Sequence, residues 1–218
     1  MKIDTDTGFS SILLLTIFSA VAVYAAPVPR DVPPLLETFA GDAVSTVEKW
    51  EKVRAPELLK EFLTGEYGKR PVERPDSLSF EKTVPDAEMM DGKALRKRIR
   101  VSYAGKYGDG SFALTAFIPK SAKKVPAFLL ICNRDPAENI DPSRRKKSGF
   151  WPAEEIVARG YAAITFWNGD VAPDRDTGNR EGVFACFENP DVERSPDAWG
   201  TLSAWGWAAS RVDRKSVV

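Results

Sequence analysis

The residues able to do covalent or acid–base chemistry are unevenly supplied. The 218-residue chain contains no histidine. A Ser-His-Asp triad, a Cys-His dyad or a histidine metal site therefore cannot be completed from these residues alone. Neither does any Gly-x-Ser-x-Gly turn occur, the sequence form of a nucleophilic serine on a strand-to-helix elbow. What remains falls in two stretches. "CNRDPAEN" follows an apolar run, and "NGDVAPDRDTGNREG" follows another, with Asp170, Asp174, Asp176 and Glu181 in the second.

"DRDTGN" resembles a calcium-binding loop only in part: its glycine comes one position early and the downstream glutamate is misplaced. A solvated acidic loop is the better reading, and no metal or organic cofactor is expected. In serine hydrolases built on an open α/β sheet, the loop after the first buried strand donates a backbone N–H to the oxyanion hole. Asn133, Arg134 and Asp135 are the candidates for that neighbourhood. A surface loop held by Asp and Asn turn chemistry is the alternative for each of them. Cys132 and Cys186 are the only cysteines. They could form a disulfide in an exported protein, or remain two buried thiols.

The elements that must position these residues follow from periodicity. Lys2 precedes an apolar run from Ile12 to Val23, then "AVYAAPVP". That run is too short to span a bilayer, and the small residues at 23 and 25 suit a cleaved signal peptide over 1–25. Secretion or periplasmic export is the expectation, with an N-terminal membrane anchor as the alternative. Residues 26–44 read as a proline-rich exposed lead-in. Residues 45–71 read as helices: Pro56 suits a first helical position, Leu58, Leu59, Phe62 and Leu63 make an apolar face, and Gly65 a stop. This helix is expected to pack over one end of the fold.

"LSFEKTV", "LRKRIRVSYAG" and "SFALTAFIP" read as strands, the last two as a hairpin through "YGDG". Arg96, Arg98 and Arg100 alternate along the second, predicting a solvated edge strand, with a substrate patch as the alternative. "VPAFLLICN" and "GYAAITFW" are short apolar runs of the kind buried on both faces, with a helix near 152–159 between them. A third helix is predicted from Ser195 (N-cap) and Pro196 (first turn), followed by the β-like "KSVV". On a helical wheel Trp199, Trp205 and Trp207 spread over a wide arc with small residues between them, which predicts burial rather than a sugar-stacking platform. Antiparallel strands followed by strand–helix–strand–helix predict an α/β fold: a three-layer αβα sandwich whose mostly parallel sheet has an antiparallel start. Lys plus Arg and Asp plus Glu are both 31, so no net field favours nucleic acid or an anionic membrane.

Taken in order, "RAPELLKEFLTGEYGKRP", "WPAEEIVARGYAAITFWNGDVAPD" and "RSPDAWGTLSAWGWAASR" resemble the bacterial glucuronoyl esterases, across roughly residues 45–211. The resemblance implies a secreted α/β-hydrolase that cleaves esters between glucuronate on xylan and lignin alcohols, with glucuronoxylan as partner. It also implies that the serine turn (Gly-x-Ser-Arg), the acid and the histidine lie beyond the strand begun by "KSVV". On that reading residues 45–218 are an incomplete domain, the N-terminal half of an α/β-hydrolase ending before its nucleophile and inactive as they stand. A non-catalytic carbohydrate-binding or interaction protein on a truncated hydrolase scaffold is the alternative.

Overall fold

The computed structural model describes residues 32–71, 74–120, 124–175 and 180–212. The segment 1–25 expected to be a signal peptide, Asp176 and "KSVV" lie outside them. No helix among the described residues is long and apolar enough to cross a membrane.

Six strands form one mixed sheet: β1 (Ser77–Lys82), β2 (Ala87–Met89), β3 (Ala94–Ala104), β4 (Asp109–Pro119), β5 (Ala127–Cys132) and β6 (Ala162–Trp167). The order is β1-β3-β4-β6-β5, with β2 also on β3. The predicted hairpin is the spine of the sheet, since β3 and β4 pair over their whole length from Ala94↔Pro119 to Ala104↔Asp109. All pairings are antiparallel except β5 with β6, which run parallel from Ala127↔Ala162 to Cys132↔Trp167. The antiparallel start is thus followed, among the described residues, by one parallel pair.

β3 is an interior strand rather than an edge. It is flanked by β1 and β2 on one side and β4 on the other. Its alternating arginines mark a polar face of the sheet, because alternation reports which face a side chain takes and says nothing about neighbouring strands.

Helices cover both faces. On one, α5 (Val183–Phe187) and α6 (Thr201–Val212) pack on Val101, Tyr103, Phe112, Leu114, Ile164 and Phe166. On the other, α4 (Ala153–Ala158) and the preceding loop pack on Ala94, Phe117, Cys132 and Ala163. This is the expected three-layer arrangement. Trp199, Trp205 and Trp207 are all buried, as the wheel predicted. The helix nevertheless starts at Thr201, not after Ser195. Residues 197–200 are held outside it by backbone pairing: Lys69 N–H donates to Asp197 O at 2.8 Å and Gly200 N–H to Tyr67 O at 3.0 Å. The Ser195 hydroxyl bonds the Asp197 side chain and caps no helix.

The N-terminal helical run continues through Pro56 instead of starting there. It alternates α1 (Val47–Lys49), a π turn (Trp50–Arg54), α2 (Ala55–Glu61) and a second π turn (Phe62–Glu66). Proline lacks the N–H that would bond four residues back. The chain adapts one residue earlier, where Ala55 N–H reaches back five residues to Trp50 O. Leu59 and Phe62 remain half exposed among the described residues, so the expected packing of this face is absent there. The lead-in is tied to the run by Arg54, buried, which donates to Leu35 O and Pro34 O at 3.1 and 2.9 Å.

The proposed disulfide does not form. Cys132 and Cys186 are both free and buried. They belong to the cores on opposite faces of the sheet, so the sheet itself separates the two sulfurs. Burial pushes both thiols up, which keeps them protonated and unreactive.

Candidate functional site

In an open α/β sheet ligands collect outside the carboxyl ends of the parallel strands. The loops after β5 and β6 meet there and enclose a cleft of about 710 Å³, lined by Asn133, Arg134, Asp135, Trp167, Asn168 and Asp174 among others. Both chemistry-bearing stretches therefore reach one place, although they are separated by a helix in the sequence.

Each of the residues 133–135 has a definite place there. Asn133 is exposed on the cleft wall. The Arg134 guanidinium lies 4.1 Å from the centroid of the Phe150 ring. Asp135 caps the short helix α3 (Pro136–Asn139), its Oδ1 accepting from Ala137 N–H at 2.8 Å and Glu138 N–H at 3.2 Å. Its carboxylate is thereby spent on turn chemistry. Of the acidic loop, Asp174 faces the cleft and Glu181 pairs with Arg175. Among the described residues no group of three His, Cys, Asp or Glu side chains comes together.

Trp167 and Gly169, which the sequence does not single out, complete the cleft, and Arg98 and Asp170 reach a chamber beside it. Trp167, the last residue of β6, is 37% exposed at the mouth while the five residues before it are buried. Gly169 makes room for it: a Cβ there would sit 2.4 Å from the indole ring. Below the mouth lies an inner chamber of about 280 Å³, which shares Pro136 and Trp167 with the cleft. Its floor is a cross-strand row, Arg98↔Thr115↔Thr165. Asp170, on the 3₁₀ turn Asn168–Asp170, lines it too. Burial raises the Asp170 carboxyl above its ordinary value, against the Ala113 N–H bond and the Arg100 charge.

The roof is the loop after α3, which is built around Asp141. Burial alone would raise this carboxyl, but N–H groups of Lys146, Ser143 and Arg145 and the Ser143 hydroxyl outweigh it and hold it at about 2. Arg144, buried with φ +56°, fixes the loop to α4 through Glu154 at 2.6 Å and Trp151 O at 3.3 Å. A carboxyl depressed in the folded state stabilises it above the unfolded pKa, and that contribution disappears as pH falls through the folded value. Asp141→Asn is therefore expected to lose about 1 kcal/mol at pH 7. Wild type and variant should converge in melting temperature between about pH 4 and about pH 2. Equal melting temperatures at pH 7 would contradict this account of the roof.

No protein-family model matches the chain. It is 25% identical to a curated carbohydrate esterase of an unknown prokaryotic organism, the match covering 85% of this chain and 49% of that one. A glucuronoyl esterase from Solibacter usitatus superimposes with a TM-score of 0.72 at 26% identity, over 86% of this chain and 54% of its own. A CE15 glucuronoyl esterase from Teredinibacter turnerae does so at 0.67 and 27%, over 83% and 45%. The chain spans about half the length of the relatives it matches. Its six-stranded mixed sheet, with helices on both faces, matches the N-terminal part of an α/β-hydrolase, and over most of its length the chain is similar to that part of the glucuronoyl esterases.

Proposed function

We propose that these residues supply the oxyanion-loop side of a serine carboxylic ester hydrolase acting on glucuronate esters of xylan, exported by the segment 1–25. The observation that carries this reading is where the cleft lies relative to the open end of the sheet. β5 crosses to β6 through α4 on one face. Crossovers between parallel strands are right-handed. α6 follows β6 on the opposite face, so a right-handed crossover through it carries the next parallel strand back past β6 to the outer edge of β5. That edge has no strand partner among the described residues, and Phe128 on β5 is 57% exposed. A serine on the turn after such a strand would stand beside residues 133–135 and their backbone N–H groups.

In that arrangement the serine oxygen attacks the uronate ester carbonyl, the alcohol leaves with a proton from the base, and water hydrolyses the acyl-enzyme. With no histidine and no Gly-x-Ser-x-Gly turn among the 218 residues, this arrangement takes its histidine base and elbow serine from outside them. The purified chain is expected to hydrolyse benzyl glucuronate no faster than buffer. A chimera joining residue 212 to the corresponding C-terminal segment of the Solibacter usitatus esterase is expected to be active. Hydrolysis by the chain alone, or a folded but inactive chimera, would overturn the proposal.

The exposed Trp167 at the mouth supports one other reading, a non-catalytic sugar-binding cleft. That reading expects glucuronoxylan to bind the chain alone, and Trp167→Ala to abolish the binding.

A further inference from the structure

Arg98 stands out among the cationic side chains around the cleft. Arg134 covers Phe150, Arg144 pairs with Glu154 and Arg175 with Glu181. Arg96 donates to Pro142 O at 3.3 Å. Arg98 lines the inner chamber half-buried, its Nε sealed from solvent with no hydrogen-bond partner, and no ion pair joins it to the described residues. A half-buried guanidinium with no carboxylate paired to it is incompletely answered, so its position at a cavity wall suits an anion.

The rest of the chamber selects which anion. Thr115 and Thr165 continue the row from Arg98 across the floor. The Thr165 hydroxyl donates to Leu130 O at 3.0 Å and keeps its acceptor capacity. Pro136, Ala137, Ile140, Pro142 and Trp167 form apolar walls. One guanidinium, with the Asp170 carboxyl on the same wall, provides too little positive charge for a phosphate or another dianion. A planar monoanion can instead take two parallel N–H bonds from the fork. The apolar walls leave a polyhydroxylated ring without partners and suit a short alkyl chain.

We propose that the Arg98 chamber is a binding site for a short aliphatic monocarboxylate, its carboxylate on the guanidinium and its chain against Ile140 and Trp167. The site requires no ester hydrolysis and stands whether or not the chain forms part of an esterase.

The test is saturation-transfer NMR of sodium butyrate with the full 218-residue chain. Saturable transfer to the butyrate methyl and methylene protons is expected. Arg98→Met should weaken it at least tenfold. Ala137→Phe, at an exposed position on the chamber wall, should block it without touching Arg98 and serves if Arg98→Met does not fold. Absence of saturable transfer to the wild type, or wild-type binding by Ala137→Phe, overturns the proposal. Displacement of butyrate by sulfate or by glucuronate at lower concentration than by acetate overturns the ligand assignment.

Discussion

Trp207→Ala is expected to lower stability by about 3–5 kcal/mol, the range for removing a large aromatic from a core. Trp207 is fully buried on the inner face of α6. Its ring lies edge-on to Tyr103 with centroids 5.0 Å apart, and 5.4 Å from Phe187. Tyr103 and Phe187 stack on each other at 6.0 Å, so one indole joins the sheet, α5 and α6. Tyr103 cannot relax into the void, because it is held against the hairpin backbone: a Cβ on Gly110 would lie 2.5 Å from its ring. A cavity that cannot collapse sets the cost toward the upper end of the range. At about 2–4 °C per kcal/mol for a chain of this size, the melting temperature should fall by roughly 10 °C or more. Trp207→Phe is expected to cost less than half as much. The Trp207 Nε1 is buried without a partner, and phenylalanine removes that unanswered donor while keeping most of the ring. Thermal unfolding of the two variants tests both statements, and equal losses would show that the indole N–H has a partner.

The strands could be read from sequence because each is a short run bounded by strong punctuation. "GYAAITFW" is apolar between a glycine and "NGD", and five of its six β6 residues are buried. The hairpin announced itself through "YGDG". The start of α6 was not legible for a tertiary reason. Ser195 and Pro196 satisfy every local rule for a helix start, but Tyr67 and Lys69 offer backbone partners to residues 197–200, and pairing wins over capping. The tryptophans were correctly expected to be buried although Trp199 precedes the helix; its indole N–H is answered by Glu188 at 2.6 Å instead. Cys132 and Cys186 illustrate a different blind spot, since two cysteines in sequence carry no record of which sheet face each takes.

The site was legible by location and not by role. Residues 133–135 are expected near a site because the loop after the first buried strand of a serine hydrolase supplies an oxyanion-hole N–H. Asp135 is occupied by α3, whereas Trp167 has no motif to announce it. Arg98 belonged to an alternating pattern that predicts a wet face. Only the loop over 136–142, some forty residues later, converts that face into a chamber wall.

That cleft depends on a glycine outside its lining, at the end of the loop after β6, and Gly182→Ala is expected to cost about 3 kcal/mol or more. Gly182 adopts φ +58° and ψ −129° immediately before α5, a region that L side chains rarely enter, at about 1–3 kcal/mol. Sterics add to the conformational cost. A Cβ would stand 2.1 Å from Val171 O and 2.9 Å from its carbonyl carbon. That oxygen accepts the Val183 N–H at 2.8 Å, the bond that joins the loop after β6 to α5. Val171 is itself fully buried, and Val171 N–H and Ala172 N–H close the 3₁₀ turn on Asn168 O. The clash therefore falls on backbone that cannot move without disturbing Asn168–Asp170. Gly160→Ala is the control, since Gly160 has φ +85° with nothing within 4 Å of its Cβ position. It should carry the conformational cost alone, about 1 kcal/mol. If the two variants unfold at the same temperature, the Val171 contact has no energetic weight. If Gly182→Ala unfolds earlier and also alters Trp167 emission while Gly160→Ala does not, the loop after β6 is held in place by α5.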